Sequence, residues 1–287
     1  MGYTLASLVT ADKIRPWHPI LRPIIRNFIP EYRLVQRQLA IITRLIKPLV
    51  QERLQGKKLE VPNIIDWMME NSSVSKRQDV KYQGMQQLQV SFAAIHTTAK
   101  LLTNVVSDLA AHPEYIQPLR DELDAVLSEN DGQLTKAALF KLKRQSSRYH
   151  GVQSGCYVFV EAFEWVGNSF STYLAAASSQ IAMDPQHWSN PEKYDGMRLH
   201  IMRQQPGSDS KFQFVSTSSD MLLFGYGSHA QFFANNEVKI ILSHLIRNFD
   251  FALPNGRGRP KPVIYDVAFK PDPNQEILFK RRESLFT

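Results

Sequence analysis

The first place in this chain where proton chemistry could sit is a polar trio, His96-Thr97-Thr98, set inside an otherwise apolar stretch. An imidazole with an unperturbed pKa of about 6.5 can give or take a proton near neutral pH, and neighbouring hydroxyls can relay it. The same three residues also suit a structural role. His96 can be a satisfied core histidine, while Thr97 and Thr98 bond to carbonyls four residues back and bend their helix. A second constellation, Phe224-Gly225-Tyr226-Gly227-Ser228-His229, is a glycine-bearing loop immediately before an apolar helix. It lacks the third glycine of a dinucleotide fingerprint. The only thiol is Cys156. One cysteine excludes an internal disulfide framework and any zinc or iron–sulfur centre built from several thiolates, and a lone Cys156 reads as buried and inert. No phosphate loop, HExxH or GxSxG is present, and no metal site is expected.

Helices must position these groups. Tyr82–Ala110 reads as one long helix, apolar on most faces, that should run through an interior. Val35, Leu39, Ile42, Ile46 and Leu49 form an apolar stripe on a helix from Glu31 to Gln55, which Pro48 should kink or divide. The four prolines of residues 11–30 predict turns and short helical pieces. Asn71–Arg77 reads as a polar loop. Pro113 opens a helix that Ile116, Leu119, Leu123 and Leu127 carry to about Ser128. Residues 134–148 read as helical and basic, Tyr173–Met183 as a short strand and turn, Phe233–Phe249 as a helix, and Phe251–Lys280 as strands and turns. The fold class is therefore mainly α with small β elements, and no linker or repeat argues against a single domain over 1–287.

Charge is unevenly distributed. Of the net +7, residues 1–60 hold 11 Lys/Arg against 4 Asp/Glu, and the rest balances at 23 against 23. A basic front end suits either a solvated helical face or an acidic surface such as membrane headgroups. No nucleic-acid motif accompanies it. The longest charge-free run, Trp165–Met183, carries Asn168, Ser169, Ser171, Thr172 and Gln180 and is too polar to span a bilayer. Met1–Thr10 does not open as a secretory signal.

Four stretches, in fixed order, together resemble the fungal branch of the haem-thiolate monooxygenases, the cytochromes P-450. Ser91–Thr98 resembles that family's oxygen-activating helix. Ala111–Leu123 (AHPEYIQPLRDEL) resembles the helix after it. Asp184–Arg198 (DPQHWSNPEKYDGMR) resembles the turn ending in Pro-x-x-Phe/Tyr-x-x-x-Arg, and Leu222–Leu245 resembles the haem loop and its helix. The tail Asp250–Pro262 agrees, and residues 145–170 diverge. The resemblance implies a partial cytochrome P-450 fold, as from the C-terminal part of the family's domain. The chain begins about where the family's substrate-access helices lie, so the central helix is expected to expose apolar surface at a penalty of roughly 25 cal/mol per Å².

Two departures from the family pattern bear on chemistry. The haem loop is Phe-x-x-Gly-x-x-x-Cys-x-Gly in the family, with the thiolate as axial iron ligand. Here Phe224, Gly225, Gly227 and His229 match, but Ala230 is followed directly by Gln231-Phe232-Phe233, as though about three residues including the cysteine and glycine were excised. Ser228 stands where this fungal group usually has a basic residue. The Glu-x-x-Arg ion pair is also missing: Arg144 and Arg148 follow Lys141 and Gln145 at three residues. The resemblance, with these departures, implies an inactive, haem-free member, a pseudoenzyme associated with fungal secondary metabolism of terpenoid or meroterpenoid type. No cofactor is expected, although the parent family carries haem. The alternatives are a haem-free enzyme that encloses a small apolar metabolite beside Ala94, His96 and Thr97 for a redox-neutral cyclisation, and a non-catalytic scaffold for an intact monooxygenase. The expected location is cytoplasmic, at the endoplasmic reticulum face through residues 1–60.

Overall fold

The computed structural model describes residues 2–57, 59–148, 178–208, 211–216, 218–221, 231–261, 263–265 and 268–283. Two compact units emerge, Met1–Thr97 and Thr98–Thr287.

The first unit holds α1 (Tyr3–Ile14), α2 (Arg22–Ile25), α3 (Pro30–Leu54), α4 (Ile64–Glu70), α5 (Val74–Gln78) and the first part of α6 (Val80–Ala111). The short pieces between prolines are as expected, but Pro48 does not divide α3, which is a single helix of 25 residues. The loop expected at Asn71–Arg77 contains α5 instead. Its formation follows from side-chain bonds at both flanks. Arg77 Nε and Nη2 cap the end of α4 at the carbonyls of Met69 and Glu70, and Asp79 Oδ1 accepts from Lys81 N and Tyr82 N at the start of α6. α4 opens with a reciprocal capping box between Asn63 and Asp66, and Arg53 pairs with the same Asp66. On α3, Ile46 and Val50 are buried with Met69, but Leu49 from the expected stripe is exposed beside Ile41 and Leu45. The helix thus carries two neighbouring apolar stripes, and only one is covered. Gly84 of α6 lies against α3, where an added Cβ would come within 3.0 Å of Thr43 Oγ1.

The second unit is built round the last part of α6, with α7 (Ile116–Ser128), α8 (Lys136–Lys141), α9 (Lys143–Arg148), α10 (Ser178–Ala182), α11 (Arg198–Arg203) and α12 (Gln231–Asn248). Two small antiparallel ladders complete it: β1 (Phe249–Ala252) with β4 (Leu278–Arg281), and β2 (Val263–Tyr265) with β3 (Ala268–Lys270). Leu101, Leu102, Val105, Val106 and Leu109 of α6 meet Leu119 and Leu123 of α7 and Val238, Leu242 and Ile246 of α12 in one cluster. Successive residues of that α12 stripe are four apart, one per turn. The expectation that α6 is interior throughout needs correction, because Val90 and Ile95 are exposed and its share of the core cluster begins at Leu101. The basic helical segment at 134–148 is broken at Leu142 into α8 and α9. The strand-and-turn expectation at Tyr173–Met183 is corrected for Ser178–Ala182, which is helical; its earlier part, 173–177, lies outside the described residues. The mainly α class with small β elements holds.

Candidate functional site

Thr97 and Thr98 of the polar trio differ in burial. Thr98 is only 5% exposed, whereas Thr97 on the next helical position is exposed. The side chain of His96, and Phe224, Gly225, Gly227, His229 and Cys156, lie outside the described residues. Thr98 Oγ1 donates to Glu237 Oε2 of α12 at 3.0 Å, so its single hydroxyl proton joins two helices rather than returning to a carbonyl of its own helix. Carbonyl back-bonding does occur further along α6, from Thr103 to Ala99 and from Ser107 to Thr103. Glu237 was not among the residues singled out by type. Its signal was positional: a carboxylate one residue before the buried Val238 stripe of an apolar helix.

α12 opens at Gln231, immediately after Ala230. Its first side chains are thus an amide and two phenyl rings, and no cysteine occurs among the described residues. Below this end the helix carries buried polar groups. Lys239 Nζ donates to the Leu139 carbonyl at 2.6 Å, and burial pulls its pKa down to about 8 against the favourable charge of Glu122. Glu122 of α7 accepts from Arg144 N at 2.7 Å and Gln145 N at 3.2 Å, capping α9. Burial pushes the Glu122 carboxyl up, and these two bonds oppose the shift. Gln145 Nε2 reaches Ser243 Oγ at 3.0 Å. These groups satisfy one another and tie α7, α8 and α9 to α12, which makes them a structural network.

On α6 a further buried charge is Asp108, bonded to Arg259 and pushed up to about 6 by burial, with Arg259 pulling the other way. Arg259 also donates to Asn104 Oδ1 at 3.3 Å, and Gln275 bonds Ser107, so the segment after β1 is held on α6. In the Pro-x-x-Tyr turn, Arg198 Nη2 donates to the carbonyls of Asn190 and Lys193, each at 3.1 Å. Tyr194 stacks on His112 at 4.7 Å between ring centroids.

A cavity of about 630 Å³ opens between α7 and α12, lined by Arg120, Leu127, Ile240, His244, Arg247 and Arg282 among others. None of Ala94, Thr97 or Thr98 lines it, so it is distinct from the enclosure expected beside the trio. Arg120 is already committed to the carbonyls of Ile246 and Phe249 and to Asp250.

Residues 172–279 match the family model of cytochrome P-450. Over 98% of this chain, cytochrome P-450 monooxygenase BOA4 of Botryotinia fuckeliana is 36% identical, and the match covers 60% of that relative. The chain belongs to the cytochrome P-450 family. Cytochrome P-450 monooxygenase ORF5 of Penicillium roqueforti is 35% identical over 98% of the chain and 55% of its own length. Cytochrome P-450 monooxygenase prx8 of Penicillium rubens is 33% identical with the same two shares. The chain therefore spans little more than half the length of the relatives it matches. Among the described residues, no helix is long and apolar enough to cross a membrane.

Proposed function

We propose that this cytochrome P-450 family member does not hold haem as a thiolate complex and does not carry out monooxygenation. The observation that carries this reading is the junction Ala230-Gln231, where α12 begins in the register at which the family supplies cysteine and, two residues later, glycine. Neither a methyl group nor an amide is a soft anionic ligand. The donor set at the start of α12 therefore does not fit a thiolate-held haem. The buried Thr98 is engaged with Glu237, which supports a packing role for it. In this reading the protein is a haem-free pseudoenzyme. It accompanies fungal secondary metabolism of the terpenoid or meroterpenoid kind and works in the cytoplasm at the endoplasmic reticulum face. The basic balance of residues 1–60 supports that peripheral placement.

The deciding experiment is expression of the full chain with excess haem precursor, followed by the absorption spectrum of the reduced, carbon-monoxide-treated protein. The expected result is no band of the thiolate type and haem well below stoichiometric. A thiolate-type Soret band with stoichiometric haem would falsify the reading. Gln231→Cys alone should not restore the band, because the following glycine is missing as well.

A second role, scaffolding an intact monooxygenase, is favoured by the uncovered stripe Ile41, Leu45 and Leu49 on α3. Co-purification with an intact cytochrome P-450 from the native host, lost on Leu45→Asp, tests it. Unchanged recovery in that variant would remove the stripe from consideration.

A further inference from the structure

We propose that the uncovered ridge of α3 is a docking seam for an acidic amphipathic helix of a partner protein. This rests on the scaffold reading above, and it names the chemistry that the docked partner presents.

α3 carries three faces. At about 100° per residue, Ile46 and Val50 fall on one side, where they are buried with Met69 of α4 and pack against Ile42, Ile65 and Val80. Next round the helix stands the ridge of Ile41, Leu45, Pro48 and Leu49, all exposed, with Leu45 at 63%. Beyond the ridge, on the side away from the buried face, run Arg33, Arg37, Arg44 and Lys47, also exposed. Successive cations stand four, seven and three positions apart, which keeps them in one stripe along the helix. Ile41, Leu45 and Pro48 are four and three apart, the spacing of a seam that receives a second helix. The cations occupy the flank of that seam, where paired helices set charge against charge.

The flank decides what fits. None of its four cations forms an ion pair among the described residues. The acids of α3 are engaged elsewhere: Glu31 pairs with Lys13 at 2.7 Å, and Glu52 with Lys57 at 3.0 Å. A second copy would bring the same engaged acids and the same cations, so it does not complement this face. A bilayer takes a broad apolar face. This ridge is one seam wide and is bounded on its other side by core packing. A partner helix with an apolar seam and a row of Asp or Glu beside it matches both features at once. Its seam would lie along Ile41, Leu45 and Leu49, and its carboxylates would face Arg37 and Arg44. α3 is already a formed helix of 25 residues, so the ordering cost falls on the partner's segment alone.

The probe is a synthetic helix with leucine at the first and fourth heptad positions and glutamate on both flanks, titrated against the full chain by fluorescence anisotropy. A second peptide replaces each glutamate by lysine. Wild type should bind the glutamate peptide about tenfold or more tightly than the lysine peptide, with the difference shrinking in high salt. Leu45→Asp should weaken glutamate-peptide binding about tenfold while melting like wild type, because the position is exposed. Arg37→Glu/Arg44→Glu should reverse the preference between the two peptides. Equal binding of both peptides, or of neither, would overturn the proposal. So would self-association that Leu45→Asp abolishes, which would assign the ridge to a second copy. Sedimentation with phosphatidylserine vesicles that is lost in Leu45→Asp, without peptide binding, would assign it to a bilayer and also overturn the proposal. Co-purification of an intact monooxygenase that needs Leu45 but survives the charge reversal would keep the scaffold and overturn the acidic helix. Charge-selective peptide binding without such co-purification would do the converse.

Discussion

In Met1–Thr97 the clustered buried apolar residues are Ile46, Val50 and Met69, while Trp17, Ile20, Phe28, Ile41, Leu45, Leu49 and Trp67 face solvent. In Thr98–Thr287 the side chains of α6, α7, α8 and α12 join Phe214, Phe251 and Leu253 in one continuous cluster. The ionisable groups differ in the same sense. Glu31 is held below the usual carboxylate range by its hydrogen bond from Lys13, and Asp66 by the backbone amide of Asn63. Asp108 and Glu122 are instead raised, because burial withdraws water faster than their partners replace it. Similar residue types therefore behave oppositely in the two units, and what differs is how much apolar surface surrounds them.

The largest effect should come from removing core volume. Leu109→Ala, at a position with no exposure, should lower the unfolding free energy by about 4 kcal/mol. Leu45→Ala on the open stripe should change it by about 0.5 kcal/mol or less. Urea titrations of both variants measure this, and equal shifts would break the comparison. Next comes the buried pair: Arg259→Ala should cost about 3 kcal/mol at neutral pH, because Asp108 loses the partner that holds it ionised and must stay charged unpaired or take up a proton. The cost should shrink in acid, where Asp108 is protonated.

The pH dependence of stability sharpens the same point. With its folded pKa raised to about 6, Asp108 favours folding most below its unfolded value of about 4. That contribution is lost as pH rises through about 6. Asp108→Asn should flatten the stability profile over this interval, leaving a smaller slope of the same sign from Glu122. A profile unchanged by the substitution would mean that Asp108 is not desolvated. The smallest effect belongs to the first unit. Asn63→Ala removes one side of the α4 capping box and should cost about 1 kcal/mol. It should be visible mainly as faster amide exchange over Ile64–Glu70. An effect as large as that of Arg259→Ala would show that α4 is anchored far more firmly than its exposed cap indicates.

Much of this architecture was legible in the chain. The apolar runs of α6 and α12 and the leucine spacing of α7 locate the helices that form the core, and the tail reads as short strands. The failures have physical causes. Asn71–Arg77 looked like a loop because Ser and Asn dominate it, yet Arg77 and Asp79 supply the bonds that finish α4 and begin α6. Pro48 looked like a break, but α3 continues through it. The uniform apolarity of α6 suggested a uniform environment, and only its second part is enclosed.

By itself the sequence determined the helical periods, the accumulation of cations before residue 60, and the junction of Ala230 with Gln231 where the family places a cysteine. Each is a property of neighbours in the chain. Tertiary structure alone decided that Thr98 and not Thr97 is buried, that Glu237 accepts its hydrogen bond, and that Asp108 meets Arg259. The first contact spans 139 residues and the second 151. Desolvation depends on which distant side chains exclude water, so neither the partners of these groups nor the direction of their pKa shifts can be read from local spacing.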